Sequence, residues 1–514
     1  MFTLHSFSPQ GYDGVLVRVE VDIRRGIPGI DIVGLPDKAI RESRERIRVA
    51  VRNAGYRFPQ DRVLVNLAPG DVKKAGSHFD LPIAVSILAA ANAIPGFSDV
   101  IGRRNFMIIG ELDLAGEVHG VRGVLPAVAR GLECGLTDFL VPEANYREAC
   151  ALDRGNVVPV TSIGRAVSSL VSPGVALRTQ TKSPAAHGQC GDGDLEYAEM
   201  SGSDLLKRAI TIAVAGRHHT LLFGAPGSGK TMASMRIQSV LPPLTWTDAV
   251  SVTKIHSLAG RLGTDTGLIS CPPVRTPHHS ASIEGLIGGG RDNTPGEVSL
   301  AHHGVLLLDE ACEFRPSILQ SLREPVESKR VTLVRAGSHV SFPADFQLVL
   351  SSNACPCGNL GRDDEACLCS RREVQLYWKR LGGALLDRID IRFQTHPPTT
   401  SELFGGLGLS SPTMRAWIER ARQRQAHRFK GSSIRSNRDI PAVKINELVN
   451  PSTDAGEAME AATRRSRMSA RSYLSVMRLA RTIADIDDRE IVTRDEIVEA
   501  IGLRRLGEGD LFWR

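Results

Sequence analysis

The stretch that decides the fold is Gly224-Ala225-Pro226-Gly227-Ser228-Gly229-Lys230-Thr231, which matches G-x-x-x-x-G-K-[ST] at every fixed position. The apolar residues 220–223 before it predict a strand, and the residues from 232 onward are compatible with a helix. In this context the glycines let backbone N–H groups cradle phosphate oxygens at a helix N-terminus. We therefore expect Lys230 to reach the β- and γ-phosphates of ATP and the Thr231 hydroxyl to bind Mg²⁺. The alternative is a glycine-rich turn that matches by chance, which both flanks disfavour.

A second motif, Gly304-Val305-Leu306-Leu307-Leu308-Asp309-Glu310, follows about 80 residues later. Its four consecutive apolar residues predict a parallel strand that is buried on both faces. At the carboxyl end of this strand, Asp309 can hold Mg²⁺ through water, and Glu310 can polarise the water that attacks the γ-phosphate. The alternative is that both acids simply begin the next helix. The spacing from the phosphate loop favours a three-layer ATPase.

Bulk properties narrow the class of protein. The chain has 514 residues, a net charge of +6 and a pI of 8.9, which predicts two to four domains and is compatible with nucleic acid. It contains no run of 18 apolar residues and begins without a charged and apolar leader, so we expect neither a membrane span nor a signal peptide. Nine cysteines in a chain of this length indicate a reducing cytoplasm.

The sequence pattern divides the chain into four parts. Val17, Val19 and Val21 alternate with charged residues as in a half-buried strand, and helical patterns follow, so the first part is a mixed α/β domain. A stretch rich in Pro, Gly, Ser and Gln then predicts a linker. Alternating strand and helix patterns surround the phosphate loop, and a helical region closes the chain, with a cap expected at Ser411. The predicted boundaries are 1–171, 172–195, 196–396 and 397–514.

Two further candidate residues follow or precede predicted strands. Asn353 comes just after the strand 347–351, which we expect beside the strand that carries Asp309, where an amide could orient the attacking water. Arg388 lies within Leu385-Leu386-Asp387-Arg388-Ile389-Asp390. An arginine in such a place can stabilise charge on a neighbouring subunit's phosphate, or it can pair with Asp387 or Asp390 of its own chain. Spacing alone leaves these two alternatives even.

Many ordered segments resemble those of one protein family, the YifB/ComM family of magnesium-chelatase-like AAA+ ATPases. The resemblance covers nearly the whole chain. Its segments are Ile32-Val33-Gly34-Leu35-Pro36-Asp37, Glu42-Ser43-Arg44-Glu45-Arg46, Val65-Asn66-Leu67-Ala68-Pro69, Phe79-Asp80-Leu81-Pro82-Ile83-Ala84, Pro277-His278-His279, Leu286-Ile287-Gly288-Gly289-Gly290, Pro295-Gly296-Glu297, Leu300-Ala301-His302, Leu385 to Asp390, and Ser469-Ala470-Arg471-Ser472-Tyr473.

The resemblance implies an α/β fold with a Lon-protease-like N-terminal domain, an AAA+ core and a helical C-terminal lid. The core would carry a helix-2 insert and a hairpin before the strand of Asn353. The resemblance also implies that Asn353 is sensor 1, that Arg388 is the arginine finger, and that Arg471 is sensor 2. Arg471 would then fold back onto the γ-phosphate of its own subunit.

For function, the resemblance implies a homo-oligomeric ring, expected to be a hexamer, that hydrolyses ATP with Mg²⁺. It would act on single-stranded or branched DNA and promote branch migration when incoming DNA recombines during natural transformation. One rival is a magnesium-chelatase motor subunit, although no D-x-S-x-S metal motif is present. The other rival is an ATP-dependent peptidase.

The first domain lacks the residues that the peptidase rival needs. His78 stands where the nucleophilic serine of proteolytic relatives would be, and Ser77 is displaced by one position. The catalytic lysine would fall near Leu125. Because serine without a base is a poor nucleophile at neutral pH, we expect no peptidase dyad.

Four cysteines form a separate candidate site. Cys355-x-Cys357 and Cys367-x-Cys369 offer four thiolates within 15 residues, enough for a tetrahedral Zn²⁺ site. The C-x-C spacing is tighter than the more common C-x₂-C. Free cytosolic thiols in a loop are the alternative.

Candidate DNA contacts come from two loops. The segments 329–335 and 338–342 flank Ala336-Gly337 in a hairpin pattern, which places Arg335 and His339 near the tip. The loop ending in Arg291 is the second candidate. The alternative for both is a solvated turn.

Overall fold

The computed structural model describes residues 2–93, 105–171, 195–290, 293–335, 338–362, 365–398, 408–466 and 468–504. The predicted linker therefore lies outside the described residues, except Leu195. Within these ranges the chain forms an N-terminal α/β domain, a parallel α/β domain around the phosphate loop, and a C-terminal group of helices. No helix among these residues combines the length and the apolar character needed to cross a bilayer.

The N-terminal domain is built on a seven-stranded mixed sheet. Val17, Val19 and Val21 are fully buried on one face of its longest strand, as their alternation with charged residues predicts. In spatial order the strands are Gly29–Val33, Arg62–Ala68, Val15–Arg24, Phe2–Ser8, Phe106–Ile108, Asp138–Pro142 and Asn156–Val160. A small hairpin joins Glu111–Leu112 to Val118–His119. The helices are Lys38–Asn53, Asp80–Ala90, Val124–Glu133, Tyr146–Ala149 and Ile163–Val171.

The central domain contains five parallel strands. In spatial order they are Val274–Arg275, Val305–Leu308, Gln347–Asn353, Thr220–Gly224 and Ile391–Thr395. Its helices are Asp204–Gly216, Lys230–Met235, Trp246–Leu258, Ile283–Ile287, Glu297–Leu300, Pro316–Ser321, Arg323–Ser328, Arg371–Lys379 and Gly383–Leu386. Because the strands are parallel, the residues that follow them gather at one edge of the sheet, and the residues that precede them gather at the other.

The C-terminal helices share a hydrophobic core with the central domain. Met414 and Ile418 on one helix and Leu479 on another are fully buried against the same core as Ala209. The helices are Ser411–Arg428, Ile445–Val449, Thr453–Ser466, Ala470–Ile486 and Arg494–Gly502. The first of them begins one residue earlier than expected, because Ser410 rather than Ser411 is the N-cap.

The predicted hairpin is present and its base packs against the N-terminal domain. Strands Arg330–Arg335 and Ser338–Pro343 pair in antiparallel register, with Arg335 opposite Ser338. Near its base, Val340 and Phe342 are buried in a small cluster with Leu258 and Tyr12. This cluster anchors the hairpin from its base to the pair Leu333–Val340, whereas Val334, nearer the turn, is 71% exposed.

Helix Trp246–Leu258 joins the N-terminal domain to the central domain. The Tyr12 hydroxyl donates a hydrogen bond to Ser251 Oγ at 2.9 Å, and Lys254 Nζ lies 5.2 Å above the Tyr12 ring. The Ser257 hydroxyl bonds the buried Glu148 carboxylate, which also accepts the Leu125 N–H at 2.8 Å. Burial raises the pKa of Glu148, even though these hydrogen bonds favour its charged form.

Candidate functional site

The phosphate loop leaves strand Thr220–Gly224 and enters helix Lys230–Met235, as the sequence predicts. Gly224 has φ of +158°, and a Cβ there would lie 2.2 Å from the Thr395 carbonyl oxygen, so a side chain cannot be accommodated. Beyond the strand, the Ser228 hydroxyl lies 2.6 Å from Thr395 Oγ1. These contacts fix the loop to the end of the neighbouring strand.

Lys230 is buried and points back into the loop. Its ammonium donates to the carbonyl oxygens of Gly224 at 2.9 Å and Ala225 at 2.8 Å. Burial lowers the pKa of Lys230, while Asp309 acts in the opposite direction. The charge is thus held at the mouth of the backbone cradle, where a nucleotide's phosphates would lie.

Thr231 and Asp309 come together although 78 residues separate them. The Thr231 hydroxyl lies 3.2 Å from Asp309 Oδ2, and the Glu310 N–H donates to Asp309 Oδ1 at 3.1 Å. Hydroxyl and carboxylate oxygens of this kind suit Mg²⁺, which keeps several waters and takes few protein ligands. These two residues therefore fit the magnesium ion of a nucleotide complex.

A serine that sequence reasoning did not single out holds this arrangement in place. The Ser351 hydroxyl donates to Asp309 Oδ1 and accepts the Glu310 N–H at 3.3 Å. Ser351 is 1% exposed, whereas Glu310 has an exposed side chain and a left-handed backbone with φ of +50°. The one available signal was the change from the apolar run 348–350 to the two hydroxyl residues Ser351 and Ser352 within the same strand.

Asn353 lies at the same sheet edge as the phosphate loop. Its strand pairs with that of Asp309 on one side, as predicted, and with the phosphate-loop strand on the other. In this register Asn353 is directly opposite Gly224. The structure therefore brings Lys230, Asp309 and Asn353 to three adjacent strand ends.

The two candidate arginines lie elsewhere. Arg388 precedes strand Ile391–Thr395, whereas the phosphate loop follows the parallel strand Thr220–Gly224, which pairs with it residue by residue. A five-residue strand is about 13 Å long, so Arg388 belongs to the opposite edge of the sheet from the phosphate loop.

Glu327 binds both arginines at that opposite edge. Its carboxylate accepts Arg388 Nη2 at 2.5 Å through one oxygen and Arg471 Nη2 at 2.7 Å through the other. The hydrogen bond from Arg388 lowers the pKa of Glu327, and the Arg471 charge acts in the same direction. Arg388 thus has an intramolecular partner, but it is neither of the two aspartates considered from the sequence.

This pairing corrects the expectation that Arg471 folds back onto the γ-phosphate of its own chain. Arg471 is at the start of helix Ala470–Ile486, and the Ser475 hydroxyl one turn later bonds Asp390, the residue just before strand Ile391–Thr395. The helix start is therefore docked at the edge of the sheet that is remote from Lys230.

The four cysteine sulfurs converge. Cys355 Sγ lies 3.4 Å from Cys357 Sγ and 3.7 Å from Cys367 Sγ. All four sulfurs, including that of Cys369, lie within 4.8 Å of one another. The tight C-x-C spacing therefore does not prevent a four-sulfur site.

The remaining candidates are placed as follows. His339 is exposed on the hairpin opposite Val334, which is 71% exposed, and Arg335 is the last residue of the first hairpin strand. Arg291 lies outside the described residues. In the N-terminal domain, His78 is buried, which lowers its pKa to about 4, and Leu125 is fully buried.

Comparison with known proteins identifies the family. Three family models match consecutive parts of the chain: "Subunit ChlI of Mg-chelatase" over 19–145, "Magnesium chelatase, subunit ChlI" over 196–403, and its C-terminal domain over 408–504. Competence protein ComM of Haemophilus influenzae is 33% identical over 98% of this chain and 97% of its own length. YifB of Escherichia coli, an uncharacterised protein, is 33% identical with the same coverage.

The chain belongs to the YifB/ComM family of magnesium-chelatase-like AAA+ proteins. An uncharacterised Mycobacterium tuberculosis protein is also similar, with 37% identity over 98% of both chains. Family membership indicates ATPase chemistry that uses ATP and Mg²⁺. The parallel sheet and the helical C-terminal region fit that assignment.

Proposed function

We propose that this protein is an ATP-driven, ring-forming DNA motor that promotes branch migration when incoming DNA recombines. One observation carries the proposal: the groups suited to hydrolysis and the two arginines lie on opposite edges of one sheet. A single chain cannot apply Arg388 to the phosphate that its own Lys230 holds. Two copies arranged head to tail can, and a repeated head-to-tail contact forms a ring when the rotation between neighbours closes, which is the assembly that we propose.

In the proposed hydrolytic step, each group of one subunit has a separate role. Lys230 and the loop N–H groups hold the phosphates, while Thr231 and Asp309 hold the Mg²⁺ that accompanies them. Glu310 orients a water and accepts its proton as the water attacks. Asn353, at the adjacent strand end, positions that water.

The neighbouring subunit supplies Arg388 and Arg471 in this proposal. Two guanidinium groups stabilise the charge that develops on the transferred phosphoryl group. Glu327 acts as a positioning residue, because its two oxygens hold the arginines side by side before they meet the phosphate. A six-membered ring is the assembly that we propose for this family.

The DNA part of the proposal is supported by the hairpin and by one relative. The hairpin begins with the exposed Arg330, and its first strand ends at Arg335, so we propose that these cationic residues contact the phosphate backbone. The relative ComM of Haemophilus influenzae is named a competence protein, which agrees with the function that the sequence resemblance implies. Contacts to phosphate rather than to bases suit a motor that must move along any sequence.

We further propose that the N-terminal domain has a Lon-protease-like fold without its catalytic pair, and that it supports assembly rather than proteolysis. A buried neutral His78 and an apolar Leu125 occupy the positions where the nucleophile and its lysine would be. We place the motor in the cytoplasm, where thiols such as that of Cys355 stay reduced.

A subunit-mixing experiment tests the arrangement. Arg388→Ala and Lys230→Ala proteins, each inactive alone, are mixed at equal amounts under conditions that exchange subunits. In a head-to-tail ring about a quarter of the interfaces would then combine an intact phosphate loop with an intact arginine, so partial ATPase activity should return. Mixed rings that show no recovery would contradict action across the interface.

The substrate is tested separately, with the wild-type protein. We expect forked or four-way-junction DNA to stimulate ATP hydrolysis and labelled junctions to be displaced in an ATP-dependent manner. If mixing the two variants restores ATPase activity but DNA does not stimulate ATP hydrolysis by the wild-type protein, the ring proposal stands and the DNA-motor proposal is rejected. That result would favour a magnesium-chelatase-type motor.

A further inference from the structure

The distances among the four cysteine sulfurs fit a specific metal geometry. Zn²⁺ binds thiolate sulfur at about 2.3 Å, so the ligands of a tetrahedral site are about 3.8 Å apart. Three of the sulfur pairs here are 3.4, 3.7 and 3.7 Å apart. The Leu360 N–H also donates to Cys355 Sγ at 3.3 Å, which orients that ligand.

The two cysteine pairs belong to different elements. Cys355 and Cys357 follow Asn353 directly at the end of strand Gln347–Asn353. Cys367 and Cys369 precede helix Arg371–Lys379, whose first turn is closed by a capping box at Ser370. A metal bound by all four sulfurs would join the loop after Asn353 to the start of this helix.

Both of these elements touch the phosphate loop or its strand. Gly358, in the cysteine loop, packs so closely that a Cβ there would lie 2.9 Å from Pro226 Cγ. From the helix, Trp378 donates its indole N–H to the Ala354 carbonyl at 3.0 Å and packs edge-on against Phe223 at 5.6 Å. The elements that carry the cysteine cluster are therefore in direct packing contact with the phosphate loop and its strand.

We propose that Cys355, Cys357, Cys367 and Cys369 bind one structural Zn²⁺ that fixes Asn353 relative to the phosphate loop. Binding replaces each remaining thiol proton with a Zn–S bond and releases those protons to solvent, which leaves a site of net charge −2. The metal takes no part in hydrolysis, and no redox change occurs. Metal binding stands independently of the proposed DNA motor, whereas its effect on hydrolysis rests on the role proposed for Asn353.

The first test measures metal. Full-length protein purified without chelator under reducing conditions should contain close to one zinc per chain. Cys357→Ser should lose it, and Cys134→Ser, which changes an exposed cysteine of the N-terminal domain, should keep it. Replacing zinc with Co²⁺ should produce the visible spectrum of tetrahedral cobalt–thiolate coordination. Absence of metal even after titration with Zn²⁺, or disulfides in place of the metal, would overturn the site.

The second test measures coupling. Loss of zinc should lower ATPase turnover about 10- to 100-fold, because a small misplacement of a catalytic group has effects of this size. Affinity for a non-hydrolysable ATP analogue should change little, since Lys230 and Thr231 are intact. Cys357→His, which retains a zinc ligand, should recover both metal and turnover. Because this readout is basal ATPase without DNA, failure of the DNA motor would not affect it. Zinc-free protein with normal turnover would reject the coupling.

Discussion

Substitution of Ser351 by alanine should impair hydrolysis without disturbing nucleotide binding. The Ser351 hydroxyl is the link between the two acids: it donates to Asp309 Oδ1 and accepts the Glu310 N–H. Without it, Asp309 keeps the Glu310 N–H but loses one charge-assisted hydrogen bond, and the exposed Glu310 loses a constraint on its backbone. Asp309, which we propose to hold Mg²⁺, and Glu310, which we propose to orient water, are then both less well placed.

The expected magnitude follows from that hydrogen bond. A hydrogen bond to a charged group contributes about 1.5–3 kcal/mol. If most of this is lost in the transition state, turnover falls roughly 10- to 150-fold, since each 1.36 kcal/mol is a factor of ten. Residues that orient metal ligands typically change affinity or activity by about 10- to 100-fold, which agrees.

The assay is steady-state ATP hydrolysis as a function of Mg²⁺, with Ser352→Ala as the matched control. Ser352 is the next residue on the same strand and is also 1% exposed, but its hydroxyl pairs with Tyr377 at 3.2 Å. Both variants remove one buried hydroxyl, so both melting temperatures should fall, and that of Ser351→Ala should fall more because its hydrogen bond is to a charged group. Only Ser351→Ala should raise the Mg²⁺ requirement and lower turnover. Equal loss of turnover in both variants would refute the reasoning.

Two other predictions separate binding, hydrolysis and DNA contact. Glu310→Gln should bind ATP but hydrolyse it about 10²- to 10⁴-fold more slowly, as expected for loss of a general base. Lys230→Ala should instead lose ATP binding itself. Equal losses of nucleotide affinity in the two variants, measured by equilibrium titration, would contradict these roles. Arg335→Ala should weaken DNA binding uniformly across sequences and reduce the salt slope by about one phosphate contact, while Arg464→Ala, an exposed lid arginine, should not. Unchanged affinity and salt slope in Arg335→Ala would remove the hairpin from the DNA path.

Local sequence pattern was sufficient to predict the elements that form the candidate nucleotide site. The phosphate loop, the buried strand ending at Asp309 and the antiparallel hairpin all depend on short-range chemistry: glycine conformations, apolar runs and a turn. The same approach failed where backbone groups bond outside their own strand. The mostly apolar run 106–112 predicts one strand, but in the structure it is divided, because the Gly110 N–H bonds the His78 carbonyl and the Gly110 carbonyl accepts the Leu81 N–H.

Other features depend on contacts that sequence pattern does not encode. Nothing in the sequence marks Glu327 among neighbouring acids as the one that binds two arginines. The close contact between Gly358 and Pro226 cannot be predicted from the sequence either, because it depends on how the loop that carries Cys355 and Cys357 returns to the sheet. Both features arise from packing between elements that are far apart in the chain.

Arg388 and Arg471 show how far a residue's position can be predicted from the order of elements in the sequence. Given parallel strands, Arg388 could have been placed from order alone: it precedes its strand, whereas Asp309 and Asn353 follow theirs, so it must lie at the opposite edge. Arg471 gives no such clue, because a helix carries it and only docking decides its edge. Two hydrogen bonds hold this docking in place: the Ser475 hydroxyl donates to the Asp390 carboxylate, and the Arg504 guanidinium donates to the Ile389 carbonyl. Ile389 and Asp390 lie just before strand Ile391–Thr395. The C-terminal helix Ala470–Ile486 is thereby attached to the same edge as Arg388, and the two arginines form one unit, which in the proposed ring would face the nucleotide of a neighbouring subunit.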